Sequence, residues 1–133
     1  MILHDRSRTE CEVRPMRIAI TGANSSVGKV LLRHVLRQDD LEARAAVRTK
    51  EAVATLPRAP GITPCVIRFD DRDTLAALLD GVNCLVHLAG ILIENKHSTY
   101  QTANVDAAQA IVEACRHTNV EHIVFISSLG ADV

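Results

Sequence analysis

The segment Thr21-Gly-Ala-Asn-Ser-Ser-Val-Gly28 has the residue types and spacing that can cradle a pyrophosphate. Gly22 permits a tight turn, and Gly28 lets the following helix pack close to its strand. The backbone N–H groups of Asn24, Ser25, Ser26 and Val27 would then stand free at a helix start, where the helix dipole adds to the attraction for an anion. The usual spacing of such a turn is G-x-x-G-x-x-G. Here Ser25 replaces the middle glycine, which adds a hydroxyl near the pyrophosphate and crowds the close backbone approach. A triphosphate-binding loop does not fit, because five residues separate Gly22 from Gly28 and Val30 follows Lys29 where Ser or Thr should bind magnesium. The plain alternative is a helix-start turn with no ligand.

A second site for chemistry lies about twenty residues further on, where an acid would grip the ribose hydroxyls of NAD. This chain has Val47-Arg48-Thr49-Lys50 there. The Arg48 guanidinium can pair bidentately with a 2′-phosphate and stack on adenine, and no carboxylate opposes that phosphate. NADP(H) is therefore favoured over NAD(H). The competing reading makes Arg48 and Lys50 solvated helix-start charges, with Arg48 able to serve NAD by stacking. A third site is Leu88-Ala-Gly90, where small residues at a strand end let a ligand approach the main chain. His87, inside the same apolar run, fits a packed and hydrogen-bonded residue better than a catalyst.

These residues need a scaffold, and the chain alternates β-branched runs with helical patterns. Arg17–Thr21 is a strand without polar alternation, as expected where helices cover both faces. Val27, Val30, Leu31 and Val35 then mark a helix face. Ala43–Val47 is a second strand and Glu51–Leu56 a short helix ended by Pro57. A loop with Pro60, Gly61 and Pro64 leads to a third strand, Cys65–Phe69. Asp73 can cap a helix carrying Leu75, Leu78 and Leu79, which Gly81 terminates. Asn83–Leu88 is a fourth strand and Ile91–Thr99 a polar loop. Gln101–His117 is the longest helix, with Ala108, Ile111, Val112 and Cys115 on one face, and His122–Ile126 is a fifth strand. This order predicts an α/β, Rossmann-type doubly wound parallel sheet in strand order 3-2-1-4-5. The glycine turn, Arg48 and Ala89-Gly90 then meet at the carboxyl ends of the first, second and fourth strands.

Composition narrows the partners. Apolar residues are 47% and charged residues 23% of the 133, with a net charge of −1, so there is no electrostatic case for nucleic acid or an anionic membrane. One Tyr, two Phe and no Trp leave few stacking platforms for single strands. Cys11, Cys65, Cys84 and Cys115 form no C-x-x-C pair, and three of them sit in apolar runs; no metal site is expected and a reducing cytoplasm suits them. No run reaches the roughly 18 apolar residues of a membrane span. Residues 1–15 are polar and charged and read as a flexible extension, leaving 16–133 as one domain.

The motifs together resemble the extended and atypical branches of the short-chain dehydrogenase/reductase family, with NmrA-like and epimerase/dehydratase-like members. They also resemble the NADPH-carrying accessory subunit of respiratory complex I. The likeness spans Met16 to Val133 and rests on Thr21-Gly-Ala…Gly28, Ala46-Val-Arg48, Val86-His-Leu-Ala-Gly90, Ala103-Asn-Val105 and Ile126-Ser-Ser-Leu-Gly130. It implies that Leu88, Ala89 and Gly90 border the cofactor ribose. It implies an Asp beside the adenine amino group, for which Asp70 is the candidate, with Asp71 or Arg68 as alternatives and capping or solvated roles open. Ser128 would be the hydroxyl that polarises a substrate oxygen, and Asn104 the helix residue that holds a water in the proton relay, or else a helix-packing polar residue. The family's Tyr, with Lys four residues later, is not found: Tyr100 is the only tyrosine and Asn104 stands four residues on. The expectation is a domain cut short after its fifth strand, binding a dinucleotide without turning over a small-molecule substrate and associating through uncovered sheet surface. Its parent is an NADP(H)-dependent oxidoreductase or epimerase, or alternatively a non-catalytic module like the NmrA-like regulators or the complex I subunit.

Overall fold

The computed structural model describes residues 14–127. It holds β1 (Met16–Thr21), α1 (Ser26–Val35), β2 (Leu41–Val47), α2 (Lys50–Val53), β3 (Ile62–Val66), α3 (Arg72–Leu79), β4 (Cys84–His87), a π-helical segment (Gln101–Asp106) that runs into α4 (Ala107–Cys115), and β5 (His122–Phe125). The five strands form one sheet in the order β3-β2-β1-β4-β5, and every pairing is parallel. This is the doubly wound order the element sequence predicts. Thr21 pairs with Ala46 on one side and His87 on the other, so the ends of β1, β2 and β4 stand level.

Two cores result from the two-residue period of the strands. Ile18 and Ile20 point to one face, where they pack with Leu32 and Val35 of α1 and with Ala43, Ala45 and Val47 of β2. Ala19, Ala46 and Leu85 point to the other, against Leu75, Leu78 and Leu79 of α3 and Ile111 and Cys115 of α4. Among the described residues no helix is long and apolar enough to cross a membrane, and no group of three or more His, Cys, Asp or Glu could hold a metal ion.

Several elements differ from the sequence reading. The third strand is Ile62–Val66 rather than Cys65–Phe69, and it contains Pro64, opposite Ala45. Proline is tolerated there because β3 is an edge strand. The earlier end leaves room for Asp71, not Asp73, to cap α3: its Oδ1 accepts from the N–H groups of Asp73 (3.0 Å) and Thr74 (3.4 Å). Helix α1 is rotated from its expected face. Gly28, Leu32 and Val35 are buried, whereas Val27 and Val30 are 52% and 44% exposed. The last long helix is divided, since its first six residues are π-helical and only Ala107–Cys115 is α-helical. The expected extension over residues 1–15 lies, apart from Arg14 and Pro15, outside the described residues.

Candidate functional site

The turn after β1 is held by backbone contacts on both sides. Gly22 has φ +66°, and a Cβ on it would stand 2.8 Å from the Ala89 nitrogen and 2.9 Å from the Leu88 carbonyl carbon. A side chain there would be strained and would also strike the end of β4. The Leu88 N–H donates to the Thr21 carbonyl at 3.1 Å, and the Ala23 N–H donates to the Ala46 carbonyl at 3.1 Å. Gly28 is needed for a different reason: its Cβ would lie 2.5 Å from the Ala23 carbonyl oxygen. Without a Cβ there, the start of α1 can lie this close to the turn, and the same helix face buries Leu32 and Val35. Ser25 is the N-cap of α1, and its Oγ accepts from the Gly28 N–H at 3.0 Å. The residue that breaks the glycine spacing therefore stabilises the helix start.

A cavity of 390 Å³ opens above the carboxyl ends of the strands. Gly22, Asn24 and Ser25 line it from the first turn, Ala46, Val47 and Arg48 from the end of β2, and Leu88, Ala89 and Gly90 from the end of β4. Seven of the eleven residues proposed from sequence as cofactor contacts thus meet in one concave space of ordinary ligand size. Ser26, Val27, Gly28 and Asp70 do not line it. Ser26 and Val27 are exposed at the start of α1, and Gly28 acts through the packing just described.

Arg48 follows β2 directly and is exposed, with Thr49 behind it capping α2 by accepting from the Ala52 N–H at 3.2 Å. Asp70 is turned away into a surface ion pair. Arg68 Nε and Nη2 donate to its two oxygens at 3.0 and 2.7 Å, and this bonding holds the Asp70 carboxyl below its ordinary range. The pair belongs to a separate hollow with Asp71, Arg72 and Asp73. Beside the end of β2 the cavity wall is instead apolar, made by Ile67 and Phe69.

His87 is buried under this floor. Its Nδ1 is 2.8 Å from Thr21 Oγ1, and the ring is set edge-to-face against Phe69 and Phe125, with centroids 5.9 and 5.2 Å away. Burial pushes its pKa down, and its Nε2 has no hydrogen-bond partner. Thr21 Oγ1 also accepts from the Ala89 N–H at 3.4 Å, so His87 is linked through one hydroxyl to the peptide that borders the cavity.

Asn104 faces the next peptide. Its Oδ1 accepts from the Ile91 N–H at 2.8 Å and its Nδ2 donates to the Ile91 carbonyl at 3.1 Å. Both ends of the amide are thereby engaged in clamping the chain as it leaves Gly90. Beyond the clamp the 91–100 loop folds on itself. Asn95 and Ser98 exchange backbone hydrogen bonds of 3.0 and 3.3 Å, the Tyr100 N–H donates to Glu94 Oε1 at 2.7 Å, and the Tyr100 hydroxyl donates to the Leu92 carbonyl at 2.9 Å. This brings Ile91, His97 and Ser98, with Thr102 and Ala103 of the π-helical segment, to the cavity wall. The sequence reading missed these five, whose one signal was that the loop runs straight from the Ala89-Gly90 bend. Ser128 lies outside the described residues.

Comparison with known proteins agrees with this geometry. A family of proteins described as NAD(P)H-binding matches residues 22–133. The chain is 32% identical over 119 residues to uronate dehydrogenase of Pseudomonas syringae pv. tomato, covering 84% of this chain and 39% of that protein. It is 29% identical over 130 residues to the uncharacterized UDP-glucose epimerase YtcB of Bacillus subtilis, covering 85% and 40%. Among solved structures, a uronate dehydrogenase mutant from Agrobacterium tumefaciens complexed with NAD matches with a TM-score of 0.69 at 25% identity, covering 85% of this chain and 41% of that one. The chain spans about two-fifths of the length of these relatives.

Proposed function

This chain belongs to the NAD(P)H-binding family, and from that premise we propose that it is the cofactor-holding portion of an NADP(H)-dependent oxidoreductase or epimerase of the short-chain dehydrogenase/reductase kind. Its relatives include both a dehydrogenase and an epimerase. A nicotinamide dinucleotide bound here supplies hydride transfer. The chain's own residues bind and orient it. The turn from Gly22 to Ser25 and the start of α1 take the pyrophosphate, the Ile67 and Phe69 wall takes the adenine, and the backbone of Leu88, Ala89 and Gly90 takes the second ribose. Asn104 is a positioning residue, because it holds Ile91 and through it the Gly90 bend.

The choice of NADP(H) rests on one observation: Arg48 lines the cavity at the end of β2, and no carboxylate does so among the described residues. A guanidinium there pairs with a 2′-phosphate, and nothing repels it. The test is a titration of NADPH and NADH against the parent chain and Arg48→Asp. Charge-assisted hydrogen bonds are worth about 1.5–3 kcal/mol, so NADPH should bind roughly 10- to 100-fold more weakly to the variant, with NADH little changed. Equal NADPH affinity in the two proteins would remove Arg48 from the site.

Two further parts of the proposal concern surroundings. Cys65, Cys84 and Cys115 are free thiols, which supports residence in a reducing cytoplasm. All four residues of β5 are exposed, and its apolar members Ile123, Val124 and Phe125 support self-association of the isolated chain.

A further inference from the structure

The cavity has positive or protonatable groups on both sides of β1. Among the described residues Arg48 and His97 are the only ionisable side chains that line it, and no carboxylate does. Arg48 follows β2, whereas His97 belongs to the loop after β4, so the strands that carry them are separated by two inter-strand spacings, about 10 Å. The adenosine side of a dinucleotide accounts for Arg48. Nothing in the proposed cofactor contacts uses His97.

His97 and Ser98 are also held ready for a ligand. Their hydrogen bonds are made by the backbone: the His97 N–H donates to Asn95 Oδ1 at 2.8 Å, and the Ser98 N–H donates to the Asn95 carbonyl at 3.3 Å. The loop that carries them is closed by Tyr100 and Glu94 and fixed at its root by Asn104. Other charges around His97 are few. Glu94 of the same loop accepts from the Tyr100 N–H at 2.7 Å, Lys96 is exposed, and the π-helical segment contributes only Thr102 and Ala103 to the wall. Thr102 spends its hydroxyl on Thr99.

We propose that His97 and Ser98 form a second anion-binding pole of the cavity, which receives the carboxylate of a hydroxy- or sugar-acid substrate beyond the Ala89-Gly90 bend. The placement of this pole on the substrate side rests on the dinucleotide reading above. An imidazole N–H and a hydroxyl on one loop can each donate to an oxygen of a carboxylate.

The experiment titrates the 133-residue chain, with and without NADPH, with D-glucuronate and with D-glucose. The His97 imidazole and Ser98 amide resonances are followed by NMR. Glucuronate should move both saturably, and glucose should move neither. His97→Gln should weaken the glucuronate response read at the Ser98 amide roughly tenfold. Equal responses to the two sugars, no response to glucuronate, or an undiminished affinity in His97→Gln would overturn the proposal. So would NADPH alone titrating His97 and blocking glucuronate, because the anion would then be the cofactor's phosphate. If NADPH fails to bind while glucuronate still moves His97, the dinucleotide reading falls and the anionic pole stands.

Discussion

The β1–β2 side of the sheet and the β4–β5 side are built by different means. On the first side the framework is backbone: a glycine turn at φ +66°, a helix start close against Ala23, and strand ends locked by main-chain hydrogen bonds, with the Arg48, Ile67 and Phe69 side chains on the wall beside it. Its strands carry Ile20, Ala45, Ala46 and Val47, each 1% exposed or less. On the second side the site is made of side chains on a loop, clamped by one asparagine, and the outer strand β5 is exposed throughout. The difference teaches that the turn after β1 and the ends of β1 and β2 have little conformational freedom. The far side can change its ligand by changing a few loop residues while the sheet stays as it is.

That contrast can be broken most sharply at Gly28. A valine there must place its Cβ within 2.5 Å of a backbone oxygen that cannot retreat, so Gly28→Val should cost about 3 kcal/mol or more. A fall of roughly 10 °C in melting temperature and loss of NADPH binding are expected. An unchanged melting curve would show that the turn yields more than its geometry implies. Asn104→Ala probes the clamp on the other side. Removing two hydrogen bonds to a half-buried peptide should cost about 2 kcal/mol, and hydrogen exchange should rise selectively across the 91–100 loop. Exchange that rises equally in β1 and β2 would mean that the two sides are not separable. The smallest effect belongs to β5. Val124→Lys puts a charge on the apolar edge strand and should change stability by no more than about 0.5 kcal/mol, while lowering the apparent mass of the chain in light scattering if that strand mediates association. A mass that stays above the monomer's would move the contact elsewhere.

Much of the β1–β2 side could be read from residue order alone. Thr21-Gly…Gly28 and Arg48 stand at fixed chain distances, and a parallel strand–helix–strand unit leaves few ways to arrange them. Asp70 is the exception on that side: the sequence offered it as a cofactor contact, and the structure pairs it with Arg68. The β4–β5 side was less legible. The loop residues that reach the cavity are placed by hydrogen bonds between side chains and backbone up to 13 residues apart, such as Asn104 with Ile91, and periodicity carries no trace of these. The π-helical stretch that brings Asn104 to Ile91 likewise has no composition signal of its own.

What the amino-acid order determined by itself is the alternation of strands and helices, the parallel sheet, and the need for glycine at two points of one turn. Those follow from local sterics and from burial at periods of 2 and 3.6 residues. Tertiary structure decided which face of α1 is buried, because Leu32 and Val35 pack against β1 and β2. It also decided that Pro64 could lie in a strand, because β3 fell at the sheet's edge, and which loop side chains reached the cavity. Each of these depends on where a distant segment comes to rest, and contact between distant segments exists only once the sheet has closed around β1.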